Sequence, residues 1–341
     1  MRAIVVSEFG TRPELREVER PRPEPNEVLI RIGAAGVCRT DLKIRDGHVP
    51  GVPLPCVLGH ELAGTVEEVG SAVSDVRPGQ RGAPYGYLSC GKCLGCIDGR
   101  TSLCTNLGTR YGFGPAGGYS EYVTVPERLF LPIGDNITVE GAAIATCSMV
   151  TPYRALVRRA RLRAGETVVV VGAGGGVGLH TVQVAARMGA RVIAVDTDPR
   201  REDLLREEGA HEVILIGAEG FATQVGDLTD GRGASVVVDL VAAEQTMLDS
   251  VACLELGGRL ALVGYRPGVD FHAVVPDLVF REIEIYGSHW ASIVDVREVF
   301  DMIERGLLTP RVMRSYPLEL ANQALSELES GEAIGRTVLI P

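Results

Sequence analysis

"ETVVVVGAGGGVGLHTVQVAARMGARVIAVDTDPRREDLLREEGAHEVI", residues 166–214, runs from an apolar stretch through a glycine-rich turn into a helical pattern, then repeats strand, helix and strand. Short apolar stretches bounded by turn residues read as buried strands, and their alternation with amphipathic helices is the wiring of parallel βαβ units. The later stretches "ASVVVDLV", "GRLALVGY" and "IEIYGS" carry the pattern on to about residue 288. They predict an α/β fold with a doubly wound parallel sheet, its domain spanning 152–290.

The turn "GAGGGVG", Gly172–Gly178, stands between the strand "TVVVV" and the helix "GLHTVQVAARMG". Glycine at such a turn lets the backbone bend tightly and approach a pyrophosphate, whose charge then meets the helix N-terminus. Gly172, Gly174, Gly175, Gly176, Val177 and Gly178 are therefore candidate dinucleotide contacts. Counted back from Gly178, the fingerprint has Ala173 where its first glycine is usual, and Gly172 just before it. Asp196 ends the second strand, where an acidic side chain accepts both ribose hydroxyls of the adenosine half and repels a 2′-phosphate. That favours NAD. Arg200 and Arg201 keep NADP open if they pair with such a phosphate; as solvated charges at a helix start they would not.

Outside this domain the texture differs. From Met1 to about Val150 the chain is dense in glycine, proline and short valine-rich runs such as "EVLIRIGAAGV", "LAGTVEEVG" and "YSEYVTVP", which read as short strands of an irregular β domain. Downstream, "VDVREVFDMIERGLL" reads as a helix and "GRTVLIP" as a final strand that returns to the first domain. With 341 residues and 45 % hydrophobic content the chain can bury two cores. A net charge of -10, spread along the chain, disfavours phosphate backbones and anionic membranes as partners. No apolar run approaches the roughly 20 residues that span a bilayer, and "MRAIVVSEFG" has no leader pattern, so a cytoplasmic location is expected.

In a reducing compartment cysteines serve metals more often than disulfides. "CGKCLGCIDGRTSLC", residues 90–104, offers Cys90, Cys93, Cys96 and Cys104 at short ligand spacings. Four thiolates would close a tetrahedron around zinc and leave no position for chemistry, so the site is expected to be structural. Its excess negative charge would be offset by Lys92 and Arg100. A second set, Cys38, Thr40 and Asp41 in "GVCRTD", His60 and Glu61 in "LGHELAG", and Cys147 in "AIATCSMV", also suits zinc by residue type. Spacing alone does not assemble it, and two buried cysteines with a satisfied histidine fit the residues as well.

The segments "GVCRTD", "LGHELAGTVEEVG", "CGKCLGCIDGRTSLC", "GGYSEYVTVP", "AAIATCSMVTPYRAL" and "VVVVGAGGGVG", in this order, resemble the zinc-dependent medium-chain alcohol dehydrogenases, part of the medium-chain dehydrogenase/reductase superfamily. The resemblance implies a GroES-like catalytic domain over 1–151 with a zinc lobe at about 88–106, a Rossmann NAD-binding domain over 152–290, a return over 291–341 and an active site in the cleft between domains. It implies two zincs per chain. Cys38, His60 and Cys147 look like catalytic zinc ligands, Glu61 like a carboxylate able to approach the ion, Asp41 like the group that orients the imidazole, and Thr40 like the hydroxyl that receives the alcohol proton. Arg39, Arg201, Val263 and Ser288 match cofactor positions, while Tyr85, Tyr87 and Trp290 match the substrate surroundings or plain packing. Lys43 stands where a relay histidine is common, with His48 a second candidate, and Ile293 replaces an arginine near the pyrophosphate.

The implied activity is hydride transfer between an alcohol, or its aldehyde or ketone, and a nicotinamide cofactor. The implied partners are a small-molecule substrate and further copies of the chain, as homodimer or homotetramer. An alternative on the same fold is reduction of an activated C=C bond, as in an enoyl thioester. A third reading, a noncatalytic binding protein whose zinc ribbon touches nucleic acid or another protein, is disfavoured by the acidic balance and by Lys92 and Arg100 as the only cations in the loop.

Overall fold

Six strands, Thr167–Val171, Arg191–Asp196, Glu212–Leu215, Ala234–Asp239, Leu254–Leu262 and Glu284–Gly287, make one parallel sheet in a computed structural model that describes residues 1–217 and 220–341. They lie in the order third, second, first, fourth, fifth, sixth, so the winding reverses beside the first strand. Val169 sits between Ile193 and Val237 in the ladder, and all three are fully buried. That burial is why these strands read as unbroken apolar runs instead of alternating ones. The sheet belongs to a compact unit, Ser148–Trp290, whose core gathers Val171, Val195, Ile214, Phe221 and Leu260. In such a sheet ligands meet the carboxyl ends of the strands at the reversal, where Gly172–Gly178 follows the first strand and Asp196 closes the second.

The other unit joins Met1–Cys147 to Ala291–Pro341. The division falls before Ser148 rather than after Thr151. Its main sheet has seven strands built around Glu27–Val37, which pairs antiparallel with Glu61–Val69, Tyr122–Pro126 and Arg336–Ile340. The closing pairing sets Thr337 opposite Val37 and Leu339 opposite Ala35. The core joins Ile4, Leu42, Ile44, Leu58 and Tyr119 to Leu318, Leu325 and Leu339 from the return segment. Helix Ile293–Glu304 opens that segment, with Ser292 and Asp295 in a reciprocal capping box at its start. The fold class is therefore α/β, one β-rich unit and one unit with a Rossmann-type parallel sheet. No described helix is long and apolar enough to cross a membrane.

Candidate active site

Strand Glu27–Val37 ends at Cys38, the N-cap of helix Arg39–Arg45. Asp41, the third helical residue, accepts the Cys38 backbone N–H at 2.9 Å, which satisfies one of the donors a helix start leaves open. The other Asp41 oxygen meets His60 Nδ1 at 3.0 Å. A carboxylate only accepts, so Nδ1 carries a proton, and it is in the neutral ring that Nε2 presents a lone pair. His60 immediately precedes strand Glu61–Val69, which Glu61 begins, and Cys147 lies on a stretch of π-helical winding, Ala145–Met149. Such widened turns recur at functional sites. Cys38, His60, Glu61 and Cys147 each bring a ligand atom within 4.8 Å of the others.

The proton balance of this group is unusual. A hydrogen bond from Cys147 draws the Cys38 thiol well below its ordinary value against the effect of burial, and the same bond together with burial holds Cys147 well above it. Burial opposes charge on His60, yet Asp41 and Cys38 raise it well above the usual range. Burial pushes the Glu61 carboxyl up to about 8, Arg336 opposing and Cys38 assisting. Arg336 forms two hydrogen bonds to Glu61, one of them from Nε to Oε2 at 3.0 Å. Two thiols, an imidazole lone pair and a carboxylate oxygen are a donor set that zinc accepts.

In the cysteine lobe, Cys93 Sγ lies 3.5 Å from Cys96 Sγ and 3.8 Å from Cys104 Sγ, and Cys90 Sγ lies 4.0 Å from Cys96 Sγ. A tetrahedron with Zn–S near 2.3 Å has edges of about 3.8 Å, so the four sulfurs fit one zinc. The charge is offset differently from expectation. Arg100 pairs with Asp98 at 2.8 Å, and the sulfurs are met by backbone N–H groups. Those of Thr105 and Cys96 lower the Cys93 thiol to about 6.

At the glycine-rich turn, Gly172 has φ +77°, so it supplies the left-handed residue that the Ala173 position does not. A Cβ on Gly178 would stand 2.2 Å from the Gly172 carbonyl oxygen, whereas one on Gly175 would meet only that oxygen, at 3.6 Å. Helix Gly176–Arg187 starts at Gly175 with no side-chain cap. Its first N–H groups and the open face of Gly175 suit a pyrophosphate. Asp196 accepts from the Gly174 N–H at 2.7 Å and from those of Thr197 and Asp198 at 2.9 and 3.1 Å. Arg201 Nη1 lies 3.2 Å from Asp196, and Arg201 is 14 % exposed rather than solvated. Arg200 binds Asp198 through Nε and Nη2.

The remaining residues fall in varied surroundings. Thr40 is half-buried on the first turn of helix Arg39–Arg45, Arg39 and His48 are exposed, and Lys43 is half-buried. Val263 and Ser288 follow the fifth and sixth strands of the parallel sheet, and the buried Ser288 Oγ has no hydrogen-bond partner among the described residues. Trp290 is half-buried with φ +42°. Tyr85 is 1 % exposed and its hydroxyl donates to the Ala291 carbonyl at 2.9 Å. Tyr87 is buried edge-on to Phe113, and Phe113 in turn lies 5.6 Å from the His60 ring. Ile293 N–H donates to Thr101 at 3.3 Å. Arg336, Tyr119 and Phe113 are additions that the sequence reading did not single out.

Residues 24–135 match the family model of the alcohol dehydrogenase GroES-like domain, and residues 176–305 match that of the zinc-binding dehydrogenases. Over its full length the chain is 36 % identical to an NAD-dependent alcohol dehydrogenase of Sulfurisphaera tokodaii, itself fully covered. This chain belongs to the zinc-type medium-chain dehydrogenase/reductase family. Another of its relatives is an acryloyl-coenzyme A reductase of Metallosphaera sedula, 31 % identical over 99 % of both chains. Among solved members of the family, the alcohol dehydrogenase of Aeropyrum pernix superposes with a TM-score of 0.92 at 31 % identity, with 100 % of both chains covered.

Proposed function

We propose that this family member is a zinc-dependent oxidoreductase that transfers hydride between an alcohol, or its aldehyde or ketone, and NAD. The observation that carries the reading is the meeting of Cys38, His60, Glu61 and Cys147 within 4.8 Å, in a chain whose parallel sheet also carries an uncapped glycine-rich helix start. Bound at these places, zinc supplies Lewis-acid polarisation of a substrate oxygen and the nicotinamide supplies a hydride acceptor. Cys38, His60 and Cys147 would hold the ion, with Glu61 beside it. Asp41 fixes the imidazole tautomer and direction. Thr40 would accept the alcohol proton at Oγ1 while passing its own hydroxyl proton outward. Cys90, Cys93, Cys96 and Cys104 would hold the structural zinc.

Gly172–Gly178 and Asp196 would bind the nucleotide, with Arg201, Val263 and Ser288 of the same unit as further contacts, and Arg39 of the other unit is a cofactor residue by family likeness. Asp196 and Asp198 engage Arg200 and Arg201, so a 2′-phosphate would meet two carboxylates and two paired cations. This supports NAD over NADP. The unit Met1–Cys147 with Ala291–Pro341 corresponds in this reading to the GroES-like domain and its return, and Ser148–Trp290 to the Rossmann domain. The partners are small molecules and further copies of the chain. Support for self-association comes from the edge strand Glu284–Gly287 and the helix before it, on which Val275, Val279 and Phe280 are exposed, Phe280 at 82 %. A reducing, cytoplasmic setting suits eight cysteines without a disulfide among them.

The second reading, reduction of an activated C=C bond, has the acryloyl-coenzyme A reductase relative in its favour. One experiment separates the two: zinc per chain in wild type and Cys38→Ala, with NADH formed or consumed over a panel of alcohols, aldehydes, ketones and enoyl thioesters. Two zincs falling to one, with alcohol turnover lost, is the expected result. Enoyl turnover that survives Cys38→Ala would move the protein to the reductase reading.

A further inference from the structure

We propose that Tyr119 is a positioning residue for the metal group, setting the direction of the His60 lone pair through the Asp41 carboxylate. The inference rests on the reading of Cys38, His60 and Cys147 as zinc ligands. Tyr119 is fully buried and precedes strand Tyr122–Pro126. Its main chain is tied on both sides, the N–H to the Leu58 carbonyl at 2.9 Å and the carbonyl to the Ile4 N–H at 2.8 Å. Its hydroxyl donates to Asp41 Oδ2 at 2.9 Å. The same oxygen accepts the Cys38 N–H at 2.9 Å, and Oδ1 faces His60 Nδ1 at 3.0 Å.

One buried carboxylate thus joins the backbone of one ligand, the imidazole of another and the phenol. Of its three donors among the described residues, the phenol alone comes from outside the ligand segments. Loss of the phenolic O–H would leave the Cys38 N–H as the sole donor on Oδ2 and let the carboxylate plane turn, taking the imidazole with it. The chain makes room for this contact. Gly59, immediately before His60, has φ +92°, and a Cβ there would stand 2.4 Å from Tyr119 Cδ1 and 2.6 Å from its backbone nitrogen. Gly59 therefore lets the tyrosine ring lie against the segment that carries the ligand. Groups that orient ligating histidines change metal affinity about 10- to 100-fold when removed, and an effect relayed through one more hydrogen bond belongs at the low end.

The test is a double-mutant cycle on zinc affinity, read by competition with a chromophoric chelator, for wild type, Tyr119→Phe, Asp41→Asn and the double variant. Phenylalanine keeps the ring packing. The lobe zinc at Cys90–Cys104 shares no residue with this network and serves as internal reference. We expect Tyr119→Phe to loosen the Cys38 site about 10-fold with the lobe unchanged, and to have no further effect when Asp41 is already asparagine. Cobalt substituted at the Cys38 site should show altered visible bands in Tyr119→Phe. Equal loosening of both sites, a lowered Tm with unchanged zinc affinity, or simple addition of the two substitutions would overturn the inference and leave the proposed function standing. A wild-type chain that binds zinc at the lobe alone would overturn both.

Discussion

Gly175 and Gly178 are three residues apart in one turn, and their surroundings assign them different duties. A side chain at Gly178 would press on the Gly172 carbonyl oxygen at 2.2 Å and on that of Ala173 at 2.6 Å, both backbone atoms that cannot swing aside. Gly178→Ala should therefore cost about 1–3 kcal/mol of stability in urea denaturation, the range for overpacking. Gly175 has ordinary φ and ψ of -74° and 168° and open space beyond its Cα. Gly175→Ala should fold as well as wild type and lose AMP and NAD binding in calorimetry, because its methyl group occupies the path of the pyrophosphate. Equal stability loss in both variants would refute this division. The glycine fingerprint was legible because the turn imposes its own local rules. Arg336 was not, since an arginine in "GRTVLIP" gives no local sign that its carboxylate partner is Glu61, 275 residues away. Tyr119 was hidden for a related reason. Its ring pattern within "GGYSEYVTVP" is that of a strand approach, and only the fold brings its hydroxyl to Asp41.

At the level of elements, the cysteine lobe titrates as a set. Burial with the neighbouring thiols pushes Cys96 up to about 12, while backbone N–H groups hold Cys93 near 6. Toward pH 8 Cys93 is mostly thiolate in the metal-free lobe, while Cys96 keeps throughout pH 6 to 8 a proton that zinc must displace. Release of a proton on binding makes affinity rise with pH, by about tenfold per pH unit for each proton released. Zinc should therefore bind the lobe about 100-fold more tightly at pH 8 than at pH 6 for the Cys96 proton alone. Chelator competition across that range checks the slope, and a flat profile would contradict it. The lobe was readable from spacing because all four sulfurs come from one short segment. The other group was not assembled by spacing, since Cys38, His60 and Cys147 arrive from a helix start, a strand start and a π-helical turn. Family likeness named them in advance. The π-helical winding at Cys147 left no trace in the apolar pattern of "AAIATCSMV".

For the whole molecule, the parallel-sheet unit is one continuous stretch, Ser148–Trp290, and the other unit is split by it. A chain cut after Trp290 should keep the first folded and lose the second. It would lack Leu318, Leu325 and Leu339 from the core and the strand opposite Val37. The fragment 148–290 should bind AMP and melt cooperatively, while the fragment 1–290 should fail to retain zinc at Cys38. Zinc held there by the shorter chain would show that the return segment is dispensable. The alternation of strands and helices made the continuous unit plain in the sequence. The last fifty residues read as a helix and a strand returning to the first unit, and the pairing that places them there, Arg336–Ile340 against Glu27–Val37, spans about 300 residues and leaves no local sign.

The Arg336–Glu61 pair then has a bearing on biosynthesis. Cys38, His60, Glu61 and Cys147 all leave the ribosome before the guanidinium that balances Glu61 has been translated, and the whole parallel-sheet unit is made in the interval. During that time the nascent chain carries reactive thiols beside a carboxylate with no counter-charge and no closing strand to bury it. Metal loading at this centre is accordingly expected to follow translation of the return segment, whereas the lobe, with its four sulfurs on fifteen consecutive residues, Cys90–Cys104, needs no later segment; zinc retained by chains arrested on the ribosome before and after residue 336 checks that order.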